Sequence, residues 1–479
     1  MKQGMLLVAT VLFGVLAGLA LAVAQTQSSL AQTTPPTKPN ILFVLTDDMR
    51  AWDLRYMPKT RTLLADGGVR FTKAFVTNSL CCPSRATILR GQYAHNHRVL
   101  SNRPPLGGFE KFRSLGRENS TMATWLDGAG YDTMFVGKYF NGYDNTTHVP
   151  PGWDEWHGYL GDYVPSDTYR LNENGQISTY DRSQIHDTDL FADKAANFLE
   201  STAGGAPFFM YLSTNAPHTP AFAPQRHQNM FTDVPLPDPP SLNEADASDK
   251  PAWVRNTPRL TPENASDLRQ LYGQRLRSLQ SVDEMVGRLI DVLGKTGELS
   301  NTYVVFTSDN GLHFGEHRIN AKKWTAYEEA IRVPLLVRGP GVPPGASRSQ
   351  MALNNDLAPT FASWAGVAPP SFVDGRSLRP LLSKSPPPSW RRTLLVEHWQ
   401  DENGDAYAAT IPNYKAVRTA GYLYARYATG ERELYNLGND PYELNSLHNT
   451  ASTELRGDLT SRLDALSNCA AQSCRSAEN

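Results

Sequence analysis

Residues Asn40–Thr46 (NILFVLT) are an unbroken apolar, branched run that stops at Asp47-Asp48. A run without alternation predicts a strand covered on both faces, as in the interior of a parallel sheet. Three further runs repeat the arrangement: residues 131–136 lead into Gly137-Lys138, 207–213 into Asn215-Ala216-Pro217-His218, and 303–308 into Asp309-Asn310-Gly311. Each predicted strand ends in polar chemistry. Ligands of open α/β sheets bind outside the carboxyl ends of the strands. The punctuation therefore predicts one crevice that receives carboxylates, an ammonium and an imidazole from four strand ends.

Between these runs the clearest helical period covers residues 267–293, where Leu271, Leu276, Leu279, Val282, Val286, Leu289, Ile290 and Leu293 share a face and Gly294 and Gly297 follow. It reads as a crossover packed on the sheet, with no chemistry of its own. Residues 221–264 turn proline-rich and polar, too long for a simple connection, and predict a substrate-facing loop or a partly ordered surface excursion. After the linker at 384–389, the stretches 393–397, 414–418, 422–427 and 433–437 read as short strands joined by turns and predict a small antiparallel sheet, closed by a helix at 452–466.

Composition changes the picture in three ways. The 479 residues, 40% hydrophobic and 20% charged, suffice for a large core and a smaller one. The net charge of -2, without a long basic run, argues against a nucleic-acid partner and leaves attraction for an anion to a local cluster. Lys2, the apolar run 5–24 and its end at Ala22-Val23-Ala24 predict a secretory signal peptide over 1–24, with an uncleaved membrane anchor as the alternative. Both place the folded part outside the cytoplasm. A flexible leader over 25–39, a catalytic domain over 40–383 and a C-terminal subdomain over 390–479 complete the predicted organisation. Four cysteines are too few for a disulfide scaffold; Cys469 and Cys474 are expected to be bonded and to pin the terminal segment.

The remaining pair lies in Cys81-Cys82-Pro83-Ser84-Arg85, continuing to Gly91. This stretch resembles the maturation signature of type I sulfatases, in which the first Cys of Cys-x-Pro-Ser-Arg becomes formylglycine. The resemblance implies an alkaline-phosphatase-like fold, with a mostly parallel sheet flanked by helices and a smaller C-terminal antiparallel sheet and helix. It makes Cys81 the modified residue and Cys82 the variable position. Asp47, Asp48, Asp309 and Asn310 are hard oxygen donors suited to Ca²⁺ or Mg²⁺, although each alone also fits a turn or helix cap. The resemblance makes them, with residue 81, ligands of one Ca²⁺. It further implies that Lys138, His218 and Lys323 hold the sulfate and protonate the leaving oxygen, and that Arg85 orients the modified residue. One hydroxyl of the aldehyde hydrate would attack sulfur, and the second would then expel sulfate from residue 81. Residues 433–437 with Asp440-Pro441-Tyr442-Glu443 look like the C-terminal sulfatase signature.

Gly91 to His97 and Gly137-Lys138-Tyr139-Phe140-Asn141 are closer to N-acetylglucosamine-6-sulfatases and the extracellular heparan endosulfatases. Where many arylsulfatases have a His two residues after the Lys, this chain has Phe140 followed by Asn141. Asn141, His95 and His317 are the candidates for substrate contacts, the two histidines being equally explicable as structural. The resemblance thus implies a secreted sulfuric ester hydrolase. Its substrate would be a sulfated carbohydrate, the 6-sulfate of N-acetylglucosamine or a glycosaminoglycan fragment, and a formylglycine-generating enzyme would be its maturation partner. A phosphate or phosphonate ester hydrolase of the same superfamily and a non-catalytic sulfated-glycan-binding protein are the alternatives.

Overall fold

The structure is a computed structural model that describes residues 38–401 and 405–479. The predicted signal peptide, and the leader up to residue 37, lie outside the described residues. In chain order the first strands are β1 (Asn40–Thr46), β2 (Val69–Phe71), β3 (Ala74–Phe75), β4 (Asp132–Lys138), β5 (Glu155–Leu160), β6 (Thr168–Glu173), β7 (Gln176–Asp181) and β8 (Phe208–Ser213). They are followed by β9 (Thr302–Ser308), β10 (Leu335–Arg338), β11 (Ala346–Arg348), β12 (Ala352–Leu353), β13 (Thr393–His398), β14 (Tyr414–Thr419), β15 (Tyr422–Tyr427) and β16 (Arg432–Asn436).

Ten of them form one sheet in the order β11-β2-β10-β9-β1-β8-β4-β5-β6-β7. The four strands expected from the apolar runs are its contiguous centre, β9-β1-β8-β4, and every pairing among them is parallel. Along β1 the side chains alternate between two cores: Ile41, Phe43 and Leu45 enter one, Leu42 and Val44 the other. That double coverage is why positions 41–45 carry no polar residue. Each such side chain contributes about 1.5–3 kcal/mol on burial.

One face is covered by the helices Asp187–Thr202 and Pro262–Lys295, through Phe191, Leu199, Leu276 and Leu279. The second helix is longer than its apolar period because Pro262 begins it and Thr261 and Asn264 cap it reciprocally. The other face receives Cys81–Arg90, Leu357–Ala365 and the C-terminal sheet, whose Leu394, Val396 and Leu434 belong to the same core. This sheet is antiparallel in the order β13-β14-β15-β16, and the helix Thr453–Ser467 follows it.

Cys469 and Cys474 are joined in a disulfide. Just beyond it the buried Glu478 side chain meets Arg391 and Arg376, each at 2.8 Å, and accepts the Tyr93 hydroxyl at 2.7 Å. The proline-rich segment holds short turns and the helix Ala252–Arg255, and it is anchored by an isolated bridge between Leu242 and Glu316. No helix among the described residues is long and apolar enough to cross a membrane.

Candidate active site

Because the central strands are parallel, their carboxyl ends open at one edge. β1 delivers Asp47 and Asp48, β9 delivers Asp309 and Asn310, β4 ends in Lys138, and β8 leads to His218. Successive strand side chains point to opposite faces, so adjacent aspartates reach one site only if the chain turns between them. Asp48 does so at φ +66°, a left-handed conformation that Asp tolerates better than most residues. Carboxylate oxygens of Asp47, Asp48 and Asp309 then lie within 4.8 Å of one another.

Gly137 has a comparable role at φ +108°, where a Cβ would sit 1.8 Å from the Ser213 carbonyl oxygen. Gly137→Ala is therefore expected to push β4 off β8 and shift Lys138. It should destabilise the protein by roughly 3 kcal/mol or more, read as a lowered Tm together with lost activity. An unchanged Tm would mean that the strands tolerate the methyl group.

The helix Cys81–Arg90 starts under this edge, with Cys81 as its first residue after the extended Leu80. Lys323 Nζ lies 2.9 Å from Cys81 Sγ and also contacts Asp48 Oδ1. Lys138 Nζ contacts Asp47 Oδ2. One turn into the helix, Arg85 donates to Asp309 Oδ2 at 2.9 Å, the Lys138 carbonyl at 2.7 Å and Ser213 Oγ at 2.8 Å. Its guanidinium thus ties the ends of β9, β4 and β8 together. Ser84 Oγ adds a bond to the Asp309 carbonyl at 2.5 Å. Cys82 is held beside this helix by Asn102 Oδ1, which accepts its N–H at 2.8 Å, and by the Asn141 N–H on its sulfur at 3.2 Å.

Burial opposes charge throughout, and its balance against the neighbouring charges sets the outcome at each group. Lys138, His218 and Arg85 overcome it for Asp47 and hold its carboxyl well below the ordinary range. Asp47 and Asp48 in turn hold Lys138 and Lys323 charged. At Asp309 burial wins, helped by the Asp47 charge, and the carboxyl is pushed up to about 6. Burial also pushes the Cys81 thiol up to about 11, so the unmodified side chain is protonated at neutral pH and is a poor nucleophile.

The donor set fits a hard divalent cation. Three buried carboxylates converge, and the buried Asn310 Oδ1 has no hydrogen-bond partner among the described residues, while its Nδ2 donates to Asp48 Oδ1 at 2.6 Å. An all-oxygen cluster suits Ca²⁺ or Mg²⁺ rather than a thiophilic metal.

The crossover helix, read from sequence as chemically silent, contributes to the site. Its buried Arg275 donates to the Asp48 and Pro217 carbonyls, both at 2.6 Å, and so fixes the turn after β1 and the segment that carries His218. Arg275→Met removes two charge-assisted bonds and should cost about 3 kcal/mol. Weakened binding of a divalent cation is expected with it; an affinity equal to wild type would confine Arg275 to a structural role.

A cavity of about 360 Å³ opens over Lys138, His218 and Lys323, with Asn141 in its wall. His218 Nδ1 donates to the Thr219 carbonyl, 2.5 Å away, and its Nε2 is 3.7 Å from Asp48 Oδ2. His95 and His317 are not among the residues lining this cavity. His95 lies between Glu397, at 2.8 Å, and the Cys469 carbonyl, at 2.9 Å, and His317 is fully buried with Nδ1 2.8 Å from Glu244. The segment 221–264 lines it nowhere either. Sequence reading missed Asn102, Arg103, Asp162, Tyr163, Trp324 and Asp401, which belong to the wall. Asp162 and Tyr163 follow the end of β5, a parallel neighbour of β4, so the polar residues after that run were the available signal.

The Sulfatase family model matches residues 39–367, which hold every strand end described above. The chain belongs to the sulfatase family. A second model, the C-terminal region of N-sulphoglucosamine sulphohydrolase, matches residues 315–469 of this sulfatase. Over 91% of its length it is 34% identical to the N-acetylglucosamine-6-sulfatase of Homo sapiens, covering 86% of that protein. It is likewise 34% identical to the arylsulfatase of Volvox carteri, covering 93% of this chain and 77% of that one. A solved structure of a protein in complex with its substrate D-glucosamine-2-N,6-O-disulfate superposes with a TM-score of 0.77 at 26% identity, over 89% of this sulfatase and 97% of that chain. The mixed, mostly parallel sheet with its small antiparallel companion is thus the alkaline-phosphatase-like fold expected from the sequence.

Proposed function

We propose that this sulfatase is exported and removes the 6-O-sulfate of N-acetylglucosamine, free or at the end of a glycosaminoglycan fragment. The observation that carries this reading is that the two lysines and the histidine lining one cavity, Lys138, Lys323 and His218, are the groups that contact Cys81 and the Asp47, Asp48 and Asp309 cluster. The sugar is supported by the names of the 34% identical relatives and by the substrate in the superposed structure. A cavity of about 360 Å³ lies at the small end of ligand pockets, which favours a terminal sugar over an internal one.

With Cys81 matured to formylglycine by the host's generating enzyme, and Ca²⁺ held by Asp47, Asp48, Asp309 and Asn310, the site supplies a nucleophile and a charge for the sulfuryl oxygens. Lys138, beside Asp47, and Lys323, beside Asp48, donate to those oxygens. Arg85 keeps the strand ends, and with them the donors, in register. His218 and Lys323 are the groups placed to give the leaving sugar oxygen its proton.

The test is mass spectrometry of peptide 74–85 from protein made in its own host, with initial rates on sulfated N-acetylglucosamine isomers. Formylglycine at residue 81 and a preference for the 6-sulfate are expected. Unmodified cysteine there would remove the proposed nucleophile, and a preference for another isomer would replace the substrate. A second reading is favoured by one superposition, on the phosphonate monoester hydrolase of Silicibacter pomeroyi, with a TM-score of 0.70 at 25% identity over 88% of this chain and 93% of that one. Faster turnover of an aryl phosphonate than of the matched aryl sulfate would decide for it.

A further inference from the structure

Away from the catalytic cavity, a ring nitrogen of His317 and one carboxylate oxygen each from Glu329 and Glu443 lie within 4.8 Å of one another. All three side chains are buried. The cations around them are engaged elsewhere: Arg50 with Asp53 and Glu316, Arg418 and Arg332 with Glu328, and Lys250 with Glu244 and Asp249. Among the described residues neither Glu329 nor Glu443 has an ion-pair partner.

Three polar atoms define what is missing. Glu329 Oε2 is buried without a hydrogen-bond partner. His317 Nδ1 lies 2.8 Å from Glu244 Oε2, and the other ring nitrogen, Nε2, is buried and likewise unpartnered. A carboxylate on Nδ1 is the arrangement that fixes the tautomer of a metal-binding imidazole and leaves the Nε2 lone pair free. Glu443 accepts only the Glu328 N–H, at 3.1 Å, among the described bonds, and keeps further lone pairs available. Burial, with neighbouring carboxylates, pushes Glu329 up to about 8 and Glu443 well above the ordinary carboxylate range, so without a cation the pair is held toward the neutral form.

We propose that His317, Glu329 and Glu443 form a second, buried metal site for a dication of borderline softness, Zn²⁺ foremost. One imidazole and two carboxylates are a zinc donor set, whereas Ca²⁺ would want six or more oxygens. Binding would draw the three donor atoms to roughly 3.5 Å of one another, which follows from ligand distances near 2 Å. His317 and Glu329 bracket the segment that carries Lys323, and Glu443 comes from the chain beyond β16. The metal would clamp the Lys323 segment to the C-terminal part of the molecule. It would be a positioning device, distinct from the Asp47, Asp48 and Asp309 cluster.

Untagged full-length protein, dialysed with Zn²⁺ and Ca²⁺ and then freed of excess, is to be analysed for both metals. Co²⁺ loading adds a visible spectrum that Ca²⁺ cannot give. The proposal expects one equivalent of Zn²⁺ in the wild type, a Co²⁺ absorption band, and a Tm raised by Zn²⁺. Glu329→Gln and Glu443→Gln, which keep shape and hydrogen-bonding capacity, should each lose the zinc equivalent and the band while retaining calcium. Wild type without bound Zn²⁺ or a Co²⁺ band would overturn the proposal and leave a proton shared among these groups. Zinc bound equally by wild type and both variants would overturn it too, by assigning the metal elsewhere. Because the wild-type measurement alone can refute the site, a variant that fails to fold does not shield it.

Discussion

A Cys81→Ser variant is expected to lose about 10⁴-fold or more of the sulfate-ester turnover while keeping its fold. The fold should survive because the substitution is nearly isosteric at the first position of a helix whose anchoring is done by its neighbours. Ser84, Arg85 and the backbone of Cys82 hold that helix to Asp309, Ser213 and Asn102. The loss should be large because a serine left as the alcohol, once sulfated, carries no second hydroxyl to expel sulfate and waits for water. Stopped-time sulfate release reads the loss, and mass analysis of the protein reads whether residue 81 is still serine. Wild-type turnover from the serine variant would remove residue 81 from the chemistry.

The second large effect concerns the proton for the leaving group. His218→Ala should lower the rate on N-acetylglucosamine-6-sulfate by roughly 10²–10⁴-fold, yet change the rate on 4-nitrophenyl sulfate far less. A sugar alkoxide is a poor leaving group and needs an acid, whereas nitrophenolate departs unaided. His218 borders the cavity with Nδ1 donating to the Thr219 carbonyl, and although desolvation holds its ring below the ordinary pKa, the Asp47 and Asp48 charges favour the protonated form that the step needs. Lys323 differs: its ammonium is engaged by Asp48 and lies against Cys81 Sγ. Lys323→Ala should therefore slow both substrates alike. If His218→Ala slows both equally and Lys323→Ala discriminates, the two roles are exchanged.

Much of this was legible along the chain because each element carried its own signal. The central strands are buried on both faces, so their apolar runs are unbroken, and their polar ends mark the catalytic edge. The antiparallel C-terminal strands are short and are separated by turn residues. β7 shows the opposite case: it is an edge strand, largely exposed, whose polar composition leaves no period to read. Short strands such as β2 and β11 owe their existence to neighbours rather than to propensity.

The sequence by itself determined which residues stand at the strand ends, the Cys-x-Pro-Ser-Arg helix start, and the family. Tertiary structure alone decided that β9, β1, β8 and β4 lie side by side, because strand order depends on which faces pack together and leaves no local trace. It also decided that Arg275, from a helix read as inert, holds Asp48, and that His95 and His317 turn away from the cavity. A buried histidine and a catalytic one look alike in a chain. Only the partners that long-range folding brings, Glu397 for one and Glu244 for the other, tell them apart.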